Sequence, residues 1–289
     1  MDYISLIKKI DLYKQKYVVK LIGETYFKRK IMAVEIIKNN NNPTAILNAS
    51  IHAREFITSD LVCKMIDDCL FDSIENFNVS IIIMANPDGV ELVKNGIKSA
   101  PENERNNLLK INHFSNNFLM WKANGRGVDL NNNFDAYFGT NKNNYTFSPH
   151  GFCGYFAESE VESKAIANYT RLKQPFFTVS YHSKGEEIYY NFFQDKIRLE
   201  RDKIIAEKFS SSTGYIIKNP EKTSSGGYKD YCVQALKIPS ITIEVGNDNL
   251  THPISEIYLD EIYEKNKNIA KDLSFAFDVF KDYGRMFNW

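Results

Sequence analysis

The sequence predicts an α/β fold, with a largely parallel or mixed β-sheet that has helices on both faces. Short apolar runs typical of buried strands alternate with helical periodicity along the whole chain. The chain has 289 residues and a hydrophobic content of 43%, which is enough for one sizeable core. Neither an internal repeat nor a linker-like stretch divides it. We therefore expect residues 1–289 to form a single domain.

The first third of the chain predicts a βαβ unit preceded by a helix and two strands. An amphipathic pattern predicts a short helix at 3–13, with apolar positions Ile4, Ile7, Ile10 and Leu12. Runs dominated by Val, Ile and Leu predict strands at 17–23, 30–37, 44–51 and 78–84. The run 44–51 is nearly continuously apolar, which is typical of a strand covered on both faces. A helix predicted at 56–71 follows it, and this order favours a right-handed crossover.

The middle of the chain is more polar. Residues 85–89, Ala-Asn-Pro-Asp-Gly, are predicted to break the preceding strand into a loop. Residues 91–150 are rich in Asn, Lys and Gly and contain few long apolar runs. A loop region of this length within a compact domain is commonly functional. We interpret it as the wall of a cleft.

Regular structure is predicted again after residue 157. Ser159 and Glu162 have the spacing of a capping box and predict the start of a helix at 157–172. Further strands are predicted at 176–181, 188–193 and 238–245. Further helices are predicted at 198–212 and 257–279, the second as one long closing helix.

Charge and cysteine content argue against several functional classes. Lys+Arg and Asp+Glu both total 36, so there is no electrostatic basis for binding nucleic acid or an anionic membrane surface. We find no stretch of transmembrane length and no apolar run of signal-peptide length at the start. The cysteines form neither a CxxC pair nor a dense framework: Cys63, Cys69, Cys153 and Cys232. We expect buried free thiols and a reducing setting, cytoplasmic or spore-associated.

Residues 48–55, Asn-Ala-Ser-Ile-His-Ala-Arg-Glu, carry the first chemical signal. The predicted strand ends by presenting His52 and, three residues later, Glu55. At this spacing both side chains can face one ion from a turn or a first helical turn. One imidazole and one carboxylate suit zinc first among the metals. Such a site needs a third protein ligand, and a catalytic zinc leaves its fourth position to water.

Two other predicted strands also end in polar residues, His182 and Glu244. Open α/β sheets place their sites at the carboxyl ends of strands, so we expect one shared cleft. Zinc held by His52, Glu55 and His182 would lower the pKa of a bound water toward about 7. Glu244, among apolar neighbours, is the candidate to move the proton of that water to a leaving amine. Asp129 is a candidate to orient His52. The other histidines are interpreted as surface or loop residues: His113, His150 and His252.

Five stretches together resemble the zinc carboxypeptidase family, peptidase family M14. They are His-Ala-Arg-Glu at 52–55, Asn-Pro-Asp-Gly-Val at 86–90, Gly-Val-Asp-Leu-Asn-Asn-Asn-Phe at 127–134, Tyr-His-Ser at 181–183 and Ile-Thr-Ile-Glu at 241–244. They follow the family's order and cover nearly the whole chain. The resemblance implies a carboxypeptidase-like fold with a mixed eight-stranded sheet between helices.

The same resemblance implies a cofactor and a set of site residues. It implies one Zn²⁺ on His52, Glu55 and His182, with Glu244 as the general base. Arg54 matches the family's substrate-contacting arginine. Asp129 matches the carboxylate behind the first zinc histidine.

Three departures from the family pattern bear on the substrate. Asn131 and Asn132 stand where carboxypeptidases have Asn-Arg, and an amide cannot replace the guanidinium that grips a terminal carboxylate. The family's tyrosine before the Ser-Gly-Gly segment is absent, and Lys222 or Thr223 lies there. Lys122 occupies the place of the oxyanion-stabilising arginine, with Arg126 as an alternative cation.

Other stretches resemble the bacterial branch that cleaves γ-D-glutamyl–diaminopimelate bonds. These are Trp-Lys-Ala-Asn at 121–124, His-Ser-Lys-Gly-Glu at 182–186 and Gly-Gly-Tyr-Lys-Asp at 226–230. The resemblance implies a small, carboxylate-rich muropeptide as substrate. Candidate substrate contacts are Arg54, Lys122, Arg126, Asn131, Asn132, Lys184, Tyr228 and Lys229.

The sequence therefore supports three hypotheses of different kinds. The first is a zinc metallopeptidase acting on peptidoglycan-derived peptides. The second is a conventional carboxypeptidase that uses Arg126 or Lys229 in place of the missing arginine. The third is a catalytically silent peptide-binding protein, and the presence of His52, Glu55, His182 and Glu244 together argues against it.

Overall fold

The structure is a computed structural model that describes residues 1–140, 144–218 and 226–287. Its strands are β1 (Val18–Glu24), β2 (Lys30–Ile36), β3 (Thr44–Asn48), β4 (Asn78–Ile82), β5 (Phe177–His182), β6 (Glu187–Tyr189), β7 (Ile216–Lys218) and β8 (Ser240–Glu244). Its α-helices are α1 (Tyr3–Tyr13), α2 (Ile57–Asp67), α3 (Pro87–Asn95), α4 (Glu102–Ile111), α5 (Val161–Lys173), α6 (Lys196–Thr213), α7 (Tyr228–Gln234), α8 (Leu259–Asn266) and α9 (Ile269–Phe287).

The eight strands form one mixed sheet in the order β1-β2-β4-β3-β5-β8-β6-β7. This confirms the predicted α/β class and the eight-stranded mixed sheet. The central strands β4, β3, β5 and β8 are parallel, and antiparallel pairs join them to β2 on one side and to β6 on the other. Every residue of β3, β4 and β5 is buried. Parallel strands are usually covered on both faces, and these are.

Two apolar cores cover the two faces of the sheet. Neighbouring residues of β3 alternate between them: Leu47 belongs to one core, which includes residues of α2 and α9, and Ile46 to the other, which includes residues of α5 and α7. Side chains of a strand point alternately to opposite faces, so a strand between two cores reads as a continuous apolar run. This explains the pattern at 44–51.

The loop predicted at 85–89 is correct only for Ala85 and Asn86, because α3 begins at Pro87. The polar segment that follows contains α4 as well. Asn86 caps α3 by accepting a hydrogen bond from the backbone N–H of Gly89, and Pro87 occupies the first turn. Gly89 allows a close approach, because a Cβ there would lie 2.4 Å from the carbonyl oxygen of Ala123. The next helix, α4, buries only Leu108 and therefore lacks the apolar periodicity that would have predicted it.

Several predicted element ends are also corrected. No capping box starts α5, because the Ser159 hydroxyl bonds the side chains of Glu160 and Asn133 instead of the helix backbone. The closing segment is two helices, α8 and α9, and the strand predicted at 188–193 ends at Tyr189. In α1 the predicted positions Ile4 and Leu12 are exposed.

The structure bears on two predictions, the one about membrane-spanning segments and the one about the cysteines. Within the described ranges, no helix is long and apolar enough to cross a membrane. All four cysteines are free, and Cys63, Cys153 and Cys232 are buried as expected. Cys69 is exposed, because it follows the end of α2 instead of lying within the helix.

Candidate active site

The carboxyl ends of three neighbouring parallel strands meet at one edge of the sheet. β5 lies between β3 and β8, and His182 of β5 is the register partner of Glu244 of β8. After β3 the chain enters a 3₁₀ turn, Ala53–Glu55, which is anchored by a hydrogen bond from the N–H of Ala53 to the carbonyl of Lys122. The turn places Glu55 beside His52, as the spacing predicted.

His52, Glu55 and His182 converge. Nδ1 of His182 is 3.1 Å from Nδ1 of His52 and 3.1 Å from Oε2 of Glu55, and Nδ1 of His52 is 2.9 Å from Oε1 of Glu55. All three side chains are buried. Ligands of a tetrahedral zinc ion are about 3.3 Å apart, given bonds of about 2.0–2.2 Å. The donor set and its spacing therefore fit a zinc ion.

A polar group lies behind each imidazole. Nε2 of His52 is 3.3 Å from Oδ1 of Asp129. Nε2 of His182 is 3.1 Å from the Ser180 hydroxyl, which donates to Oδ1 of Asn48 at 2.9 Å. A proton held on each Nε2 leaves each Nδ1 lone pair free for a metal.

Asp129 was predicted for this place, whereas Ser180 and Asn48 were missed. Ser180 and His182 are two residues apart and share one face of β5, and this spacing was the only signal for Ser180 in the sequence. The contact with Asn48 depends on the pairing of β3 with β5.

Neighbouring basic groups stabilise the ionised forms of the two carboxyl groups at the metal-ligand cluster. Although burial opposes ionisation, His52 and His182 hold the pKa of Glu55 well below its usual range. Although burial opposes ionisation again, Lys122 and His52 lower the pKa of Asp129. Both carboxylates are therefore ionised at neutral pH, as zinc ligation and imidazole orientation require.

Lys122 is a cation beside Asp129. Its Nζ lies 3.5 Å from Oδ2 of Asp129, and Asp129 and Glu55 raise its pKa against the effect of burial. Arg126 is engaged elsewhere: it pairs with Glu160 at 3.6 Å and its guanidinium lies over the rings of Tyr26 and Phe147. The geometry thus favours Lys122 over Arg126 as the oxyanion-stabilising group.

The surroundings of Glu244 raise the pKa of its carboxyl group. Burial raises its pKa to about 7; the nearby Glu55 adds to this, and His182 opposes it. A carboxylate with a pKa near the working pH can accept a proton and then release it.

A polar pocket adjoins Glu244 on the side of β8 and β6. It is lined by Asn131, Tyr189, Gly227, Lys229, Asp230, Thr242 and Glu244. Lys229 is almost fully buried, pairs with Asp230, donates to the carbonyl of Asn191 at 2.9 Å and lies over the ring of Phe192. The pocket therefore contains the ion pair of Lys229 and Asp230 together with the carboxyl group of Glu244.

The other residues predicted beside this pocket have different positions. Asn131 lines it and accepts a hydrogen bond from the N–H of Tyr228. Asn132 is half-buried, and its backbone packs against Gly226. The prediction that Tyr228 contacts the substrate is corrected, because its ring is fully buried in the core and its hydroxyl bonds Thr170. Lys222 and Thr223 lie outside the described residues.

A second basic region adjoins the metal-ligand cluster. Arg54 is half-buried in the turn between His52 and Glu55, and Lys184 is bonded to Asp248 at 2.9 Å. The charges of Glu55 and Arg54 act on the imidazole of His252, which lies in the loop after β8. His113 and His150 are exposed as predicted, but His252 is half-buried and close to the site.

Replacing Asp129 tests the orientation of His52. We expect Asp129→Asn to weaken zinc binding by about 10–100-fold, because the amide lacks the charge that favours a proton on Nε2. Competition with a chromogenic chelator measures this affinity. The matched control is Asp135→Asn, which makes the same substitution at an exposed residue six positions later. Equal zinc affinity in Asp129→Asn and wild type would contradict the role of Asp129.

Comparison with known proteins identifies a zinc-dependent family, in agreement with the possible metal site formed by His52, Glu55 and His182. The family model described as zinc carboxypeptidase matches residues 3–268. Gamma-D-glutamyl-L-diamino acid endopeptidase 1 of Lysinibacillus sphaericus is 32% identical over 251 residues, which are 80% of this chain and 61% of that protein. The chain spans about three fifths of the length of the first curated relatives it matches.

Solved structures share the fold. Bovine thrombin-activatable fibrinolysis inhibitor superposes with a TM-score of 0.78 at 19% identity, over 96% of this chain and 97% of the other. Murein-tripeptide amidase MpaA from Escherichia coli O157 superposes with a TM-score of 0.56 at 16% identity, over 88% and 90% of the two chains. At these identities the likeness concerns the fold.

Proposed function

Because this chain belongs to the zinc carboxypeptidase family, we propose that it is a metallopeptidase that hydrolyses γ-D-glutamyl–diaminopimelate bonds in peptidoglycan-derived peptides. The 32%-identical relative bears the name of a γ-D-glutamyl-L-diamino acid endopeptidase, which supports this choice of bond. The convergence of His52, Glu55 and His182 supports zinc as the cofactor.

The observation that carries the choice of substrate is the pocket beside Glu244. Diaminopimelate has two amino acid centres, so its far end carries an ammonium and a carboxylate after the near amine is acylated. The pocket offers Lys229 and Asp230 to these two charges, with Asn131 as an additional hydrogen-bonding group. A leaving residue that carries both charges would match this ion pair, whereas an apolar side chain would bury it without adding a polar contact.

The asparagines at 131 and 132 also separate this protein from ordinary carboxypeptidases. A forked guanidinium binds a terminal carboxylate through two parallel hydrogen bonds, and an amide cannot reproduce its charge. Arg126 does not replace it, because it is paired with Glu160 and lies over two aromatic rings. Lys229 supplies the positive charge of the pocket instead.

The residues of this chain account for the steps of hydrolysis. When bound, zinc would polarise the scissile carbonyl and lower the pKa of a water molecule. Glu244 accepts a proton as the water oxygen forms a bond to the γ-carbonyl carbon. Lys122 stabilises the negative charge that develops on the carbonyl oxygen. Glu244 then delivers the proton to the amine nitrogen as the C–N bond breaks, leaving a glutamyl carboxylate and free diaminopimelate.

Product analysis tests the proposed bond. We expect zinc-loaded protein to convert L-Ala-γ-D-Glu-diaminopimelate into L-Ala-D-Glu and free diaminopimelate, as measured by mass spectrometry. The matched substrate carries L-Lys in place of diaminopimelate and so lacks the far carboxylate. We expect its kcat/KM to be about 10–100-fold lower, because Lys229 then loses a charged hydrogen-bond acceptor.

Two outcomes would contradict the proposal. One is removal of C-terminal residues from blocked dipeptides without cleavage of the tripeptide, which would favour a conventional carboxypeptidase. The other is equal cleavage of the diaminopimelate and lysine tripeptides, which would remove the pocket as the determinant of specificity.

A further inference from the structure

Several buried polar atoms near the metal-ligand cluster have no hydrogen-bond partner within the described part of the chain. Two of them lie on basic side chains other than the metal-ligand candidates. They are Nε of Arg54 and Nδ1 of His252. Buried polar groups are almost always satisfied, so each one without a partner requires an explanation. In addition, no carboxylate among the described residues lies within ion-pair distance of Arg54. An anionic ligand with two oxygens could accept hydrogen bonds from both groups.

The loop after β8 is held in a defined place beside the cluster. The N–H of Val245 donates to the carbonyl of His182, and the N–H of Gly185 donates to the carbonyl of Gly246 at 2.8 Å. Farther along, Nζ of Lys184 bonds Asp248. Ile254 is buried against Gly246, where a Cβ would lie 2.6 Å from its Cδ1. These contacts on both sides of His252 position its imidazole.

The charged groups that act on His252 show that the loop after β8 faces the metal-ligand cluster and Arg54. The charges of Glu55, Arg54, Lys184 and His52 all act on its imidazole. Burial lowers the pKa of His252 to about 4, so at neutral pH the ring is uncharged and offers one N–H donor. Arg54 supplies the full positive charge, whereas the charge of Lys184 is compensated by Asp248.

This basic region is distinct from the diaminopimelate pocket. Neither Arg54 nor His252 lines that pocket, which is formed by β8, β6 and α7. Arg54 follows β3, on the far side of β5 from β8. If the leaving residue occupies the pocket beside Glu244, Arg54 and His252 face the acyl side of the scissile bond.

We propose that Arg54 and His252 bind the free α-carboxylate of the γ-linked glutamyl residue. This inference rests on the proposed function, because a γ-linkage leaves the α-carboxylate of the acyl residue free next to the scissile bond. In an α-linked peptide that carboxyl group forms the bond itself. The subsite would therefore distinguish γ-glutamyl substrates from ordinary peptides.

A matched pair of substrates tests the subsite. L-Ala-γ-D-Glu-diaminopimelate is compared with the α-amidated L-Ala-γ-D-isoglutaminyl-diaminopimelate, which lacks only the negative charge. We expect wild type to prefer the carboxylate by about 10–100-fold in kcat/KM. His252→Ala should reduce this preference to about twofold or less through a higher KM for the carboxylate substrate. His252→Gln, which retains a donor, should recover part of it.

Zinc content and thermal unfolding establish that each variant is folded and loaded. Thr251→Ala changes an exposed neighbour in the same loop and should retain the wild-type preference. Equal cleavage of both substrates by wild type, or an unaltered preference in His252→Ala, would overturn the subsite.

Calorimetric binding of L-Ala-D-Glu and L-Ala-D-isoglutamine separates the subsite from the choice of bond. If neither tripeptide is cleaved but wild type binds L-Ala-D-Glu more tightly and His252→Ala does not, the proposed function fails and the subsite stands. If cleavage and discrimination are both absent, both proposals fail.

Discussion

Glu244→Gln should abolish most hydrolysis while leaving zinc and substrate binding intact. The substitution retains the shape of the side chain but removes the carboxylate that accepts the proton of the attacking water. We expect kcat to fall by about 10²–10⁴-fold, the usual contribution of a general base. Steady-state kinetics on the diaminopimelate tripeptide measures this fall, and calorimetry with the same peptide measures binding to the inactive variant.

A second carboxylate at the rim of the same region supplies the control. Glu187 is the register partner of Glu244 on β6, and it accepts a hydrogen bond from the Tyr189 hydroxyl without being a zinc-ligand candidate. Glu187→Gln should therefore reduce kcat far less than Glu244→Gln. Hydrolysis by Glu244→Gln at the wild-type rate would show that another group moves the proton.

His182→Ala should eliminate stoichiometric zinc binding and, with it, activity. The side chain is buried and its Nδ1 lies 3.1 Å from both remaining ligand candidates, so its removal leaves two ligands where catalytic zinc uses three. Wild type should gain about 2.7 kcal/mol of unfolding free energy at a zinc concentration 100-fold above Kd, because only the folded state provides the site. His182→Ala should gain far less.

Metal analysis and denaturant unfolding with and without zinc measure these effects. Glu244→Gln is the reference here, because it should retain both zinc and the zinc-dependent stabilisation. One zinc per chain in His182→Ala, with wild-type stabilisation, would exclude His182 as a ligand. Unfolding of His182→Ala without zinc at the same denaturant midpoint as apo wild type would show that the effect is not a general loss of stability.

Local chemistry in the sequence was sufficient to predict the fold class and to single out the three candidate metal ligands that the structure brings together. The HxxE spacing places His52 and Glu55 in a single turn, so their proximity can be predicted without tertiary information. The strand preceding each site residue is apolar because it is covered on both faces, and this alone marks the carboxyl ends where His182 and Glu244 lie. The same reasoning failed for α4, because an exposed polar helix has no apolar period to detect.

Only the tertiary structure decided which polar groups surround that ligand set. Ser180 reaches Asn48 because β3 pairs with β5, and a pairing between strands separated by more than a hundred residues leaves no local trace in the sequence. Tyr228 turned from a predicted substrate contact into a core residue because helix α7 directs its ring inward. His252 lies beside the metal-ligand cluster because hydrogen bonds from Gly185 and Lys184 hold the loop after β8 there. The spacing of His52 and Glu55 is local in the chain, whereas the contact of both with His182, and the positions of Tyr228 and His252, depend on the packing of distant segments.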